Sequence, residues 1–239
     1  TLKMAIIFLM EQIRTPFSLI WTIMSPTVLF FFLHFNEIEL HYGDTAWLGK
    51  QISWFVGYIS FSVVLFNYCL YLVGRRESGF IATFVHNMDG RLLFIRSQLI
   101  ASLIMSILYV FFFILVVLTG FQASPDYQIV MIILKSIYIN AFMMVSLTFM
   151  ASFRVTFQTA STIYSVLITV CMVSGIVSLK YNEGIVYWIN QVNPIAIYST
   201  ILQSDQELSL MTIFFYSIML IISIISALTF KTEPVWSSQ

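Results

Sequence analysis

The chain has 239 residues, of which 59% are hydrophobic and only 9% charged, and its 11 basic and 11 acidic side chains leave no net charge. A soluble domain carries about 25% charged residues, so this sequence cannot clothe a water-facing surface, and its mean hydropathy of +0.92 makes lipid the solvent for most of it. Zero net charge by itself says nothing about nucleic acid or acidic partners, and no nucleic-acid partner is expected.

Residues 2–15 place Met4, Ile7, Phe8 and Gln12 near one helical face and Lys3, Glu11 and Arg14 elsewhere. This predicts a short helix lying along the inner membrane interface before Pro16 turns the chain into the bilayer. No removable leader is expected, because the first apolar stretch lacks an Ala-x-Ala-like cleavage site and runs on as a full-length span. A helix crossing the hydrocarbon core needs about 17 to 25 mostly apolar residues. Six stretches qualify: 17–35, 52–73, 97–118, 130–153, 156–179 and 208–230. Five contain no Asp, Glu, Lys or Arg, and the fourth contains only Lys135. Runs such as 108–118 (LYVFFFILVVL) show none of the alternation a membrane barrel needs. The expected fold is an all-α membrane protein, a single domain of six transmembrane helices over 1–239. The outer piece 180–207 is unusually apolar for a loop and predicts one or two short helices re-entering the outer leaflet.

Basic residues in the short connections set the orientation. With the N-terminus inside, Lys3, Arg14, Arg75, Arg76, Arg91, Arg96, Arg154 and Lys231 face the cytoplasm, and only Lys50 and Lys180 lie outside. The outer pieces are acidic, with Glu37, Glu39, Asp44, Asp126, Glu183, Asp205 and Glu207. Trp21, Trp47, Trp54, Trp188 and Trp236 sit at or just beyond span ends, where aromatic belts form. The expectation is a multi-pass membrane protein with both termini cytoplasmic.

Missing motifs narrow the function. The sequence has no GxxxxGK[ST] phosphate loop, no HExxH, no Gly-x-Ser-x-Gly and no paired Cys or His at metal-ligand spacing. Neither catalytic nor metal-binding residues are expected, and His34, His41 and His86 are scattered over both sides. Cys69 and Cys171 fall inside apolar runs, as small hydrophobes do. Lys135 lies about 9 Å into the fourth span, where its ammonium either snorkels outward or serves as a functional charge. With no carboxylate inside a span, a self-energised secondary transporter has little support.

The inner loop begins at Gly74, and its positions 77, 80, 81, 84, 85 and 88 recur at helical spacing, five of the six apolar, bracketed by Gly79 and Gly90. This predicts a short amphipathic helix beneath the membrane, resting on lipid or presented to a cytoplasmic protein, with Arg75, Arg76 and Glu77 at its rim. The order Arg76-Glu77-x-Gly79, an amphipathic stretch and then Arg96 opening the third span resembles the permease subunits of ABC-2 type ABC transporters, as does Val192-Asn193-Pro194-Ile195 with Tyr198 following. The resemblance implies a coupling helix (Arg75, Arg76, Glu77, Gly79, Phe80, Phe84) that docks on a cytoplasmic ATP-binding-cassette ATPase subunit. It further implies an outer re-entrant segment at Asn193 and Pro194, and a second permease copy, identical or not. ATP and Mg would be bound by the partner ATPase, with no cofactor in this chain. In place of the family's proline after the coupling helix the sequence has Asn87-Met88-Asp89-Gly90, from which a turn is expected.

Ser161, Ser165 and Thr169 recur every four residues on the fifth span, and Asn67 and Asn140 are further interior polar residues. Small residues at this spacing let helices pack closely, or they line a cleft; Asn140, Ser161, Ser165 and Thr169 are the candidate substrate path. The leading expectation is a permease subunit for export of a hydrophobic or amphipathic peptide, lipid-linked molecule or drug. A passive channel, a membrane-embedded enzyme and an immunity partner are the alternatives.

Overall fold

The computed structural model describes residues 1–14, 16–81, 87–178, 183–203 and 210–230, with the side chains of 16–21, 178 and 211 outside that description. Expectations resting on Phe84, His86, Lys180, Asp205, Glu207, Lys231 and Trp236, and on the side chain of Trp21, therefore lie outside the described residues. Every regular element among them is helical: α1 (Leu2–Ile13), α2 (Pro16–Leu33), α3 (Thr45–Ser62), a π-helical stretch (Val63–Leu70), α4 (Tyr71–Glu77), α5 (Met88–Gly120), α6 (Tyr127–Leu147), α7 (Phe149–Ser152), α8 (Phe157–Ser178), α9 (Gly184–Val192), α10 (Pro194–Gln203) and α11 (Leu210–Leu228).

Four helical runs are long and apolar enough to cross a membrane: Thr45–Glu77, Met88–Gly120, Tyr127–Ser152 and Phe157–Val177. Each 33-residue run is about 50 Å long at 1.5 Å per residue, against about 30 Å of hydrocarbon. An all-helical chain with four such runs has the architecture of an integral membrane protein. The apolar helices Thr22–Leu33 and Thr212–Leu228 are shorter among the described residues.

Caps explain why two long helices begin earlier than hydropathy alone predicts. Asp44 accepts the Trp47 backbone N–H at 3.0 Å and starts α3 at Thr45 instead of 52. Asn87 accepts the Gly90 N–H at 2.8 Å and starts α5 at Met88 instead of 97. The Asn87-Met88-Asp89-Gly90 segment is thus a capped first turn, where the sequence predicts a loop turn.

The core gathers around α3, α5 and α6. Phe30 of α2 sits edge-on to Phe55 and Phe113, with centroids 5.0 and 5.8 Å away. Gly57 lets α10 approach α3 closely, since a Cβ there would lie 2.8 Å from Tyr198 Cβ and 2.9 Å from the Ile195 carbonyl oxygen. Further along, Gln203 Nε2 donates to the Lys50 carbonyl oxygen at 3.2 Å. Helix α10 therefore runs antiparallel to α3, and the α9–α10 tip reaches about 18 Å along α3 from its start.

Helix α1 docks sideways on the base of α5. Ala5, Phe8 and Gln12 are its buried line, with Phe8 against Phe94 at 5.4 Å and Tyr71 at 5.6 Å. Ile7, expected with Phe8 on one face, instead joins Leu2, Ile6, Met10 and Ile13 on the exposed side. The helix is thus apolar on both sides, one packed against protein and the other exposed.

Candidate functional site

Two regions carry the predicted site residues. At the end of α4, Arg75 pairs with Glu11 of α1, and Tyr71 Oη donates to the same carboxylate at 2.6 Å. The Arg75 guanidinium also lies 4.8 Å from the Phe80 ring centroid and 5.0 Å from that of Tyr71, within cation–π range. Arg76 is turned inward: it is 1% exposed and donates to the Ala151 and Val155 carbonyl oxygens at 3.1 and 3.0 Å. A rim position for Arg76 is thereby replaced by an internal one, because the four-residue α7 and the turn after it leave carbonyls that a planar guanidinium can bridge. Glu77 and Phe80 are half-buried. Gly79 adopts φ +72°, a left-handed conformation that ends α4 and redirects the chain. Phe80 and Ile81 then resume helix, and 82–86 lie beyond the described residues.

The second region is lateral. A cavity of about 460 Å³ opens between α2, the π-helical stretch and α8, lined among others by Thr22, Ser25, Tyr58, Asn67, Ser165 and Thr169. A second hollow of about 420 Å³ continues from it along α8 past Ser161 and Val166, sharing Ser165 and Thr169. The backbone is irregular on two walls. Pro26 interrupts the hydrogen-bond ladder of α2, and the π-helical stretch leaves the Asn67 carbonyl to accept from Gln98 Nε2 at 2.6 Å and Ser102 Oγ at 3.0 Å. Such π segments are frequent at functional sites. Helix α8 is the least buried of the four long runs, and its hydroxyls bond to the preceding turn: Ser165 to the Ser161 carbonyl and Thr169 to the Ser165 carbonyl, both at 2.8 Å.

Asn140 does not join this face. It is 1% exposed and donates to Ser60 Oγ at 3.2 Å and Ser106 Oγ at 2.9 Å, while accepting from Tyr198. It ties α3, α5, α6 and α10 together instead of lining a path. Asn193 does the same for the hairpin tip: Nδ2 donates to the Cys171 carbonyl at 2.8 Å and Ser174 Oγ at 3.1 Å, and Oδ1 accepts the Ile195 N–H at 3.0 Å. With Pro194 in the first helical position, where its missing N–H costs nothing, Asn193 caps α10 and pins it to α8. Lys135 is half-buried and lines a separate cavity at the Lys50 end.

Sequence reasoning missed Thr22, Ser25, Tyr58 and Ser62 as neighbours of the α8 stripe. Pro26 inside an otherwise apolar span was the one available signal. No protein-family model matches the chain, and no solved structure matches it. Among the described residues, no group of three or more His, Cys, Asp or Glu side chains is arranged to hold a metal.

Proposed function

We propose that this chain is the membrane-spanning permease subunit of an ATP-driven exporter, energised by a separate ATPase and moving a hydrophobic or amphipathic substrate. The observation that carries the reading is the junction at residues 75–80. A short turn there is tied through Glu11–Arg75 to α1, through Arg76 to α7 and the turn after it, and through Phe80, 6.4 Å from Phe94, to α5. A push on Glu77, Gly79 and Phe80 would therefore reach three elements at once, as a docking segment for a motor subunit must. The resemblance of Arg76-Glu77-x-Gly79 and Asn193-Pro194 to ABC-2 permeases supports the same reading. In this proposal Phe84 belongs to the docking helix and the α9–α10 hairpin is the outer re-entrant segment.

In this proposal the chain makes six spans, α2 the first and α11 the last, with both termini in the cytoplasm, and its membrane is bacterial, as for the peptide and antibiotic exporters it resembles. A pair of permeases would meet two ATPases, with Ser161, Ser165 and Thr169 facing the path. The walls support that cargo class: the Ser165 and Thr169 hydroxyls, already bonded to their own helix among apolar side chains, suit a peptide, lipid-linked molecule or drug better than an ion.

The test is co-purification with an ATP-binding-cassette ATPase and transport in reconstituted vesicles. Wild type should retain the ATPase and move cargo only with ATP, and Glu77→Arg should lose both. Flux without ATPase or ATP would favour the channel reading, and an unaffected Glu77→Arg complex would sink the docking assignment.

A further inference from the structure

The cavity at the other end of the molecule is different in kind. It has a volume of about 540 Å³ and lies among the first turns of α3, the first turns of α6 and the end of α10. This is within the roughly 300–1,000 Å³ usual for small-ligand sites. Two of its lining residues are lysines, Lys50 from α3 and Lys135 from α6, and none is acidic. Tyr127, Gln128 and Gln203 add polar atoms, and Met131, Ile132 and Leu202 supply an apolar wall.

The nearby described carboxylates are engaged elsewhere. Asp44 caps α3 and pairs with His41. Asp126 accepts the Tyr127 N–H at 2.6 Å through Oδ1 and the Thr45 hydroxyl at 3.3 Å through Oδ2. Among the described residues neither lysine forms an ion pair. Two like charges in one concavity focus a positive potential on it, and Lys135 is held there by its place eight residues into an apolar helix.

We propose that this cavity binds the phosphate of an anionic amphiphile, with Lys50 and Lys135 as its counter-charges. The apolar wall favours a lipid headgroup over free phosphate, since an acyl chain can lie along Met131, Ile132 and Leu202, and exposed Val130, Leu134 and Tyr138 of α6 continue the apolar surface beside the pocket. This site is independent of the export reading, since it requires neither ATP nor a partner subunit.

The experiment uses the full chain in neutral detergent, followed by thermal unfolding and native mass spectrometry with phosphatidylglycerol, phosphatidylcholine or inorganic phosphate. Phosphatidylglycerol should raise the unfolding temperature and remain bound where phosphatidylcholine does not. Lys50→Gln with Lys135→Gln should weaken retention about 30-fold, the worth of two lysines near an anionic headgroup, and the double Arg variant should keep it. Stabilisation by inorganic phosphate alone, lost in the Gln variant, would support the same site with a soluble phosphate source. Should the double variant not purify, Lys50→Glu, at an exposed position, must lower phosphatidylglycerol retention on its own. Equal retention of the two lipids, or an unchanged lipid effect in the Gln variant, would overturn the proposal. So would anion binding that appears only in Asp205→Asn/Glu207→Gln, which would mean the lysines serve the chain's own carboxylates.

Discussion

Tyr198 Oη donates a 2.7 Å hydrogen bond to Asn140 Oδ1, joining α10 to α6 where both side chains are sealed from solvent. Asn140 spends its amide hydrogens on Ser60 and Ser106, so its carbonyl oxygen depends on Tyr198. Tyr198→Phe should cost about 0.6–1 kcal/mol, the usual worth of one interhelical hydrogen bond in a membrane protein. Asn140→Leu should cost more, about 2 kcal/mol, because it strands two serine hydroxyls and a tyrosine. Unfolding in detergent with the double variant closes the cycle. Equal costs for the two single variants would mean that the serines find other partners.

Arg76 makes a sharper demand. Its guanidinium bridges two carbonyls 4 residues apart in sequence, Ala151 and Val155. Arg76→Met should destabilise by about 2–3 kcal/mol, since a charged donor to a buried acceptor is worth about 1.5–3 kcal/mol. Arg76→Lys cannot span both carbonyls with one ammonium and should recover less than half of that loss. Limited proteolysis near Arg154, an exposed residue in the bridged loop, gives a second readout. A loop equally protected in all three proteins would show that the bridge is dispensable.

The parts of the molecule legible in the sequence are those written in composition and period. Helices at 97–118 and 156–179 follow from apolar runs too long and too even for strands, whereas Asn193-Pro194 stands out in the sequence only by family resemblance, and its role as cap and first helical residue comes from the folded chain. Boundaries were hidden because Asp44 and Asn87 act through side-chain caps that hydropathy does not register. The inward turn of Arg76 was hidden for another reason. Nothing local marks it apart from Arg75, and the carbonyls it serves come from α7 and the turn after it, 75 and 79 residues away in sequence. Asn140 and Ser165 looked alike as polar residues within spans, yet one ties four helices and the other lines an open cleft.

Asp44 provides a pH dependence with a defined sign. The Trp47 N–H, and after it the His41 side chain, hold its carboxyl below the ordinary value of 3.8 despite its exposure. The folded helix therefore gains stability from the ionised cap above pH 3.8 and loses it as the pH falls through the lower folded value. Asp44→Asn retains an acceptor that does not titrate. Hydrogen exchange at the Trp47 amide should accelerate on acidification relative to neighbouring α3 amides in wild type and stay level in Asp44→Asn. The same acid response in both proteins would remove Asp44 as its source.

Ser165 and Thr169 separate a packing role from a transport role. Both are exposed on α8, border the 460 and 420 Å³ hollows, and spend their hydroxyl hydrogens within their own helix. Replacing both with Phe would fill open space without breaking a bond to another element, so the isolated chain should unfold within about 0.5 kcal/mol of wild type. If substrate passes along this face, ATP-dependent flux in vesicles should fall by at least about tenfold while the ATPase still co-purifies, since a tenfold loss needs only about 1.4 kcal/mol. Ser165→Ala with Thr169→Val keeps the shape and should leave flux within about twofold, as the lost hydroxyls were already satisfied by backbone carbonyls. The two pairs of variants thus distinguish volume from polarity as the property of this face that matters. Full transport in the Phe pair would assign the stripe to helix packing alone.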